Sequence, residues 1–387
     1  MLEWHKIGRR EINMSQEKKN GLKKSKNGLF TLGKTALSLL LVPLLVFTFS
    51  ACTPQQGAEQ TSSGVAESGA PQSGAAETQT ITDMAGRSVE IPTEVKTIAY
   101  TYGVAGNVLF TFGAGDLIVG VQGSNDFFEM LSPDIANATN VGRNEAVLET
   151  LADLAPDIYI NRSDRTDDLE AVAALGIPAI GISAENLDEI NQLYTLMGQI
   201  LGEEDKATEL IEYYTSLFDK AKGLVSDLTD DQKVTAILMG GDIGEVAHAQ
   251  MIQSDMITAA GGVSLVVGSD VPTNQGTWPK VGTETIFSWN PDFIFLTNNR
   301  HASYTADDLL NDPTWANVQA VIDKNIYTVP SEKDSWEFPG LGSSLGTLWM
   351  VSKMYPDKLS EADFNEIVQE FYKKIYNIDG TPEVLGF

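Results

Sequence analysis

The chain is poor in several residue types that carry chemistry: 387 residues contain one Cys and three His. A lone Cys excludes an internal disulfide framework and any zinc site built from C-x-x-C pairs. Three His, at positions 5, 248 and 301, leave little for an imidazole metal cage or a His-centred catalytic site. No G-x-G-x-x-G, P-loop or H-E-x-x-H motif occurs. Positive charge is also scarce: the formal net charge is −27. Acidity on that scale repels a phosphate backbone, so no nucleic-acid partner is expected.

What charge there is lies unevenly. Residues 1–51 carry +6 and the remainder −33. A basic stretch with Lys18, Lys19, Lys23, Lys24, Lys26 and Lys34 precedes an uncharged apolar run from Thr35 to Ala51. Basic, then apolar, then small is the order of an export signal, and Pro43 argues against a permanent membrane helix. The run ends Phe49-Ser50-Ala51-Cys52, which resembles the bacterial lipobox, with Phe49 where Leu is usual. The resemblance implies that Cys52 is the lipid-modified first residue of the mature protein, held by two or three acyl chains at the outer face of a bacterial cell membrane. Met14 is an alternative start. Residues 53–80, mostly Ser, Gly, Ala, Gln, Glu and Thr, lack the apolar surface to order themselves. The expected organisation is a signal peptide over 1–51, a disordered tether over 52–80, an N-terminal lobe over 81–190, a helical linker over 191–228 and a C-terminal lobe over 229–387.

Beyond Ile81, short apolar runs alternate with amphipathic stretches, the βα pattern of an α/β protein. Expected strands are Thr97–Tyr100, Leu117–Val121, Ile158–Ile160, Ala179–Ile182, Thr235–Met239, Phe293–Leu296 and Ile326–Val329. Between the two groups, apolar residues recur at helical spacing, and Gly202 divides two helices. The body also repeats itself. ETLADLAPDIYINR over 149–162 and ETIFSWNPDFIFLTNNR over 284–300 each run Glu-Thr, one amphipathic turn, Pro-Asp, a strand and Asn-Arg. The Glu opens a short helix and Pro-Asp ends it before the next parallel strand. Related units of this kind put equivalent edges on opposite sides of a cleft. As residues alone, Glu149 and Glu284 read equally well as acidic first-turn residues favoured by the helix dipole.

At this point the chain resembles the class III periplasmic solute-binding proteins, which serve ABC importers of ferric siderophores, haem and cobalamin. The resemblance covers about residues 80–376. Its carriers are Ile81-Thr-Asp-Met-Ala-Gly-Arg-Ser-Val-Glu-Ile-Pro92, Leu117–Val121, Gly176-Ile-Pro178, Asp312-Pro-Thr-Trp315 with Ala320-Val321, and Tyr327–Pro330, in the family's order. It implies an α/β fold of two Rossmann-like lobes joined by a long helix, with a ligand cleft between the lobes. It further implies a monomer whose Glu149 and Glu284 dock onto Arg residues of a membrane permease, with no resident cofactor and no metal site.

Ligands of open α/β sheets bind beyond the carboxyl ends of strands. Of five Arg after residue 51, Arg143, Arg162, Arg165 and Arg300 fall in such loops or at helix entries. Guanidinium groups pair with carboxylates and related oxyanions. Tyr102, Trp278, Tyr304 and Trp336 would add flat apolar walls, and His301 is a candidate contact to a bound metal or haem. An anionic ferric siderophore fits this set best; haem, a corrinoid or a small oxyanion would use the same residues. Two enzyme readings stand beside the receptor. Gly342-Ser343-Ser344-Leu345-Gly346 matches a nucleophile elbow, but every His lies upstream of Ser344, against the required order. A surface-anchored metal-dependent α/β enzyme would use Asp242 and Glu245.

Overall fold

The computed structural model describes residues 77–123, 125–274, 278–298 and 302–387. The expected export signal, Cys52 and most of the expected tether lie outside them. The described chain opens with a hairpin, β1 (Thr78–Thr82) and β2 (Ser88–Pro92), followed by β3 (Ile98–Tyr100), α1 (Gly103–Thr111), β4 (Ile118–Val121) and α2 (Asp126–Leu131). Then come β5 (Thr139–Asn140), α3 (Leu148–Leu154), β6 (Ile158–Arg162), α4 (Thr166–Ala173) and β7 (Ala179–Ile182). Two helices, α5 (Leu187–Leu201) and α6 (Glu204–Leu224), lead to β8 (Thr235–Met239), α7 (Ile252–Ala259), β9 (Val263–Ser264), α8 (Thr283–Trp289) and β10 (Phe293–Leu296). The chain finishes with α9 (Ala306–Asn311), α10 (Gln319–Ile322), β11 (Ile326–Thr328), α11 (Gly342–Met354), α12 (Glu361–Tyr376) and α13 (Pro382–Leu385).

Two parallel sheets result, ordered β5-β4-β3-β6-β7 and β11-β10-β8-β9. Strands β3 and β10, inside their sheets, are buried at every position because helices cover both faces; β7, at an edge, is buried as well, and the Met84 amide donates to its Gly181 carbonyl at 3.0 Å. The α/β, two-lobed architecture is therefore the one expected. The expected strands recur within one or two residues of their bounds, whereas β1, β2, β5 and β9 were not foreseen. The hairpin begins at Thr78, within the 52–80 stretch expected as tether. It is latched by the buried Asp83 carboxylate, which accepts from Arg87 Nη2 at 2.6 Å and from the β7 amide of Gly181 at 2.9 Å.

The linker is a pair of helices. Asn186 caps α5 by accepting from the Glu189 amide, and Gly202, at φ +67°, ends it where a side chain would be strained. Ile190, Leu193, Met197 and Ile200 then form a buried stripe at helical spacing. In α6 the buried face is Ala207, Leu210, Tyr214, Leu217 and Ala221, against which α11 packs. Helix α12 then returns to the first lobe: the Tyr376 ring meets Phe127 edge-on at 5.1 Å. One continuous apolar core thus contains Ile98 and Val108 of the first lobe with Leu238 and Val351 of the second. A large rotation of one lobe against the other would have to expose part of it, at about 25 cal/mol per Å².

Candidate ligand cleft

The repeat seen in sequence is a repeat in geometry. Helices α3 and α8 are each seven residues long, carry Glu149 and Glu284 as their second residue, and end in a left-handed residue, Ala155 (φ +43°) and Asn290 (φ +48°). The Asp that follows each Pro closes the same ring onto the neighbouring strand. Asp157 accepts from the Thr97 amide at 2.9 Å and its own amide donates to Thr97 Oγ1 at 2.9 Å. Asp292 accepts from the Thr235 amide at 2.8 Å and its amide donates to Thr235 Oγ1 at 3.1 Å. Glu149 and Glu284 are both exposed.

Residues at or beyond the carboxyl ends of both sheets line a single cleft of about 720 Å³. The first lobe contributes Tyr100, Tyr102, Gln122, Arg143, Arg162 and Glu185. Arg162 pairs with Asp164 at 3.0 Å and with Glu185 at 3.7 Å, and its guanidinium lies 5.6 Å from the Tyr102 ring centre. Burial, reinforced by Glu185, pushes the Tyr102 phenol up, so it is a neutral hydrogen-bonding group at physiological pH. Arg143 is exposed in the loop after β5, and no carboxylate among the described residues pairs with it within 4 Å.

The second lobe supplies Gly240, Glu245, Gln253, Trp278, Glu337 and Phe338. Trp278 packs so closely on Gly240 that a Cβ there would stand 2.9 Å from the ring. Glu337 is 4% exposed and takes hydrogen bonds from Thr297 Oγ1 at 2.6 Å and the Asn298 amide at 2.9 Å. Burial raises its carboxyl above the ordinary range despite these neutral donors. Gln253 donates Nε2 to the Glu337 carbonyl at 2.8 Å and so ties the 335–339 segment to α7.

Of the residues expected to meet a ligand, Tyr102, Arg143, Arg162 and Trp278 line the cleft, and Arg300 and His301 lie outside the described residues. Three do not line it. Arg165 stands at the entry of α4, its Nε 3.9 Å from Asp164. Tyr304 is 7% exposed and donates to the Gly240 carbonyl at 2.9 Å, bracing the cleft turn from behind. Trp336 is fully buried, donates Nε1 to Tyr372 Oη at 2.9 Å and packs on Phe364 and Phe387; the cleft wall belongs to its neighbours Glu337 and Phe338. Sequence reasoning also passed over Tyr100, Phe128, Glu185, Met251, Gln253, Thr297, Ser335 and Glu337. Glu185 had a signal, since it follows β7; Met251 and Gln253 had none, since they lie at the entry of a helix.

The elbow reading fails on geometry: Ser344 is fully buried and its Oγ donates to the Leu341 carbonyl at 2.7 Å in the first turn of α11. Glu245 spends one carboxylate oxygen on the Asp242 amide of its own turn, at 3.0 Å. His248 is 1% exposed, its Nδ1 accepts from the Gln250 amide, and burial lowers its basicity.

Residues 98–333 match the family model for periplasmic binding protein. The molybdate-binding protein MolA of Haemophilus influenzae is 24% identical over 335 residues, 78% of this chain and 92% of that one. Its molybdate-bound structure superposes with a TM-score of 0.68 at 21% identity, covering 78% of this chain and 98% of that chain. A periplasmic solute binding protein from Veillonella parvula superposes with a TM-score of 0.65 at 26% identity, covering 79% and 95%. The ABC transporter substrate-binding lipoprotein YvrC of Bacillus subtilis is 22% identical over 293 residues, 73% of this chain and 87% of that one. These relatives are binding proteins rather than enzymes. The chain belongs to the periplasmic binding protein family, as a substrate-binding component of an ABC transporter.

Proposed function

We propose that the protein is a lipid-anchored receptor, held at the outer face of the membrane through Cys52, that captures an anionic metal chelate of ferric-siderophore type and delivers it to an ABC permease. The supporting observation is the pair Arg143 and Arg162 on one wall of a 720 Å³ cleft whose remaining surface includes Tyr102, Trp278 and Phe338. Guanidinium groups grip carboxylate or catecholate oxygens, the rings cover the chelate's apolar faces, and the volume suits a molecule of tens of atoms. Delivery would use Glu149 and Glu284, exposed at equivalent places on the two lobes, to meet cations of the permease. A second reading has support from the likeness to a molybdate-binding protein: a small oxyanion held by the same Arg residues.

Fluorescence titration decides between them, with Trp278 as the reporter inside the cleft. Saturable binding of ferric citrate that weakens on Arg143→Ala supports the chelate reading. Binding of molybdate with no response to ferric citrate establishes the oxyanion instead. Metal-dependent turnover without saturable binding would sink both. Cells fed radiolabelled palmitate should label the wild-type protein and not Cys52→Ser; an unlabelled wild type would refute the anchor.

A further inference from the structure

In each lobe a cleft residue stands six positions before the exposed Glu, on the strap that enters the short helix: Arg143 before Glu149, Trp278 before Glu284. The two straps are fastened differently. The second is fastened by main chain: the Val281 amide donates to the Gly244 carbonyl at 2.8 Å, the Val246 amide to the Pro279 carbonyl at 3.0 Å, and Glu245 bridges Lys280. The first has main-chain bonds near its ends, from the Asn144 amide to the Thr101 carbonyl at 3.0 Å and from the Val147 amide to the Val141 carbonyl at 2.8 Å, but its middle is fastened by a side chain. Asp168, on α4, accepts from the Ala146 amide at 2.7 Å with one oxygen. Its other oxygen accepts from Tyr159 Oη at 2.7 Å and Asn161 Nδ2 at 2.8 Å. Asn161 Nδ2 also donates to the Asn144 carbonyl at 2.9 Å. The strap is tightly wound, since a Cβ on Gly142, at φ +110°, would lie 2.2 Å from the Glu145 carbonyl oxygen.

Resting on the docking reading above, we propose that Asp168 is a positioning residue that couples ligand at Arg143 to the permease at Glu149. A ligand that pulls on Arg143 moves a strap whose middle is held by Asp168 and whose far end is the first turn carrying Glu149. With the midpoint fixed, displacement at one end reaches the other; with it loose, the strap absorbs it. By linkage, a permease that grips Glu149 must then also alter affinity at Arg143. Asp168→Asn is the appropriate probe. Whichever way the amide turns, its NH₂ faces a donor, either the Ala146 amide or the Tyr159 and Asn161 pair, while the shape of the side chain is kept.

The test uses full-chain protein with its importer in proteoliposomes and reads stimulated ATP hydrolysis with and without ligand. The probe is ferric citrate, or molybdate where the titration selects it, at saturation for each variant so that affinity does not enter. The expected result is a loaded-to-empty ratio reduced by about fivefold or more in Asp168→Asn, within the usual span of coupling between sites. The variant should bind its probe saturably and melt within a few degrees of wild type. A ratio equal to wild type overturns the inference. Tyr159→Phe, which removes one hydrogen bond to Asp168, decides the matter if Asp168→Asn does not fold, with a smaller fall expected and an unchanged ratio overturning it. Glu149→Ala separates the two readings: if it stimulates like wild type, docking through Glu149 is wrong and the coupling falls with it. If Glu149→Ala fails to stimulate while Asp168→Asn behaves as wild type, only the coupling is wrong.

Discussion

The two lobes repeat one backbone plan and fill it with opposite chemistry. In the first, the cleft wall carries the guanidinium groups of Arg143 and Arg162, and the buried Asp83 is matched by Arg87. In the second, the wall carries Glu245, Glu337 and Trp278, and the buried Asp334 and Glu337 are met by neutral hydroxyl and amide donors. Helix length and the Thr–Asp ring are common to both lobes; side-chain charge is not. Among the described residues the cleft is therefore uneven across its width, with two guanidinium groups beside Glu185 on one side and only carboxylates as charged groups on the other. A ligand that satisfies both walls presents anionic oxygens to the first lobe and a hydrogen-bond donor or apolar face to the second.

The largest effect tests the part of the comparison that is symmetric. On the proposed docking role, replacing both Glu149 and Glu284 with Ala should lower uptake of the probe by about a hundredfold or more while ligand affinity stays within twofold, because each lost carboxylate would leave a permease cation unpaired. Each single variant should lose less than the pair. A double variant with normal uptake would end the docking role; one that loses ligand binding would show instead that the two Glu are structural.

The next tests the asymmetry of buried charge. Asp334 is buried, takes one side-chain hydrogen bond, from Tyr372 Oη at 2.7 Å, and burial raises its carboxyl to about 6. A carboxyl raised in the folded state binds its proton more tightly there than when unfolded, so stability falls as pH rises from about 4 through about 6. A shift of this size corresponds to on the order of 3 kcal/mol. Asp334→Asn keeps an acceptor for Tyr372 and has no proton to lose. The stability difference between variant and wild type, from urea denaturation at pH 4 and pH 7, should therefore move in the variant's favour at the higher pH. An equal difference at both would mean that the second lobe solvates its buried carboxylate as well as the first matches its own.

Much of this comparison was legible before any coordinates. Short apolar runs such as Ala179–Ile182 and Phe293–Leu296 read as buried strands because strands covered on both faces need apolar residues at every position. The β1–β2 hairpin was not legible, since only one residue in each strand, Ile81 and Ile91, is buried and most of its neighbours are polar. The return of α12 to the first lobe was equally silent: an amphipathic stripe announces a helix and not its partner. At the site, the strand-end rule led to Tyr102 and Arg162, and the approach to the two Glu helices led to Arg143 and Trp278; all four line the cleft. The strand-end rule failed at Trp336, where the direction of an irregular loop places Glu337 and Phe338 on the cleft and the indole in the core. Size and hydrophobicity could not reveal that, because a buried Trp with a hydroxyl partner and a ligand-facing Trp have the same sequence signature.

Smaller effects probe the cleft walls themselves. Arg143→Ala should weaken an anionic probe about tenfold, a difference of roughly 1.4 kcal/mol. The loss should shrink at high salt, because Arg143 is exposed and screened. Arg162→Ala removes the partner of the half-buried Glu185 as well, and should weaken the probe more than Arg143→Ala does. The reverse order in a titration would mean that the ion pair with Glu185 already consumes what Arg162 could offer a ligand.

The smallest expected effect is at Tyr304, which braces the second lobe's wall without entering it. Tyr304→Phe deletes the bond from its hydroxyl to the Gly240 carbonyl, 2.9 Å long, and leaves the ring in the second lobe's separate apolar cluster with Met239 and Trp315. The carbonyl loses a buried donor, at a cost of about 1 kcal/mol. Since Gly240 is the residue on which Trp278 rests, a wall that depends on this brace would also lose affinity. The main-chain bonds of the same turn argue against that dependence: the Gly240 amide donates to Glu245 O at 2.9 Å and the Ser303 amide to Gly241 O at 2.7 Å. Denaturation should therefore register the substitution while probe affinity stays within twofold. A larger loss of affinity would show that the second lobe's wall depends on a side-chain brace, as the middle of the first lobe's strap does on Asp168.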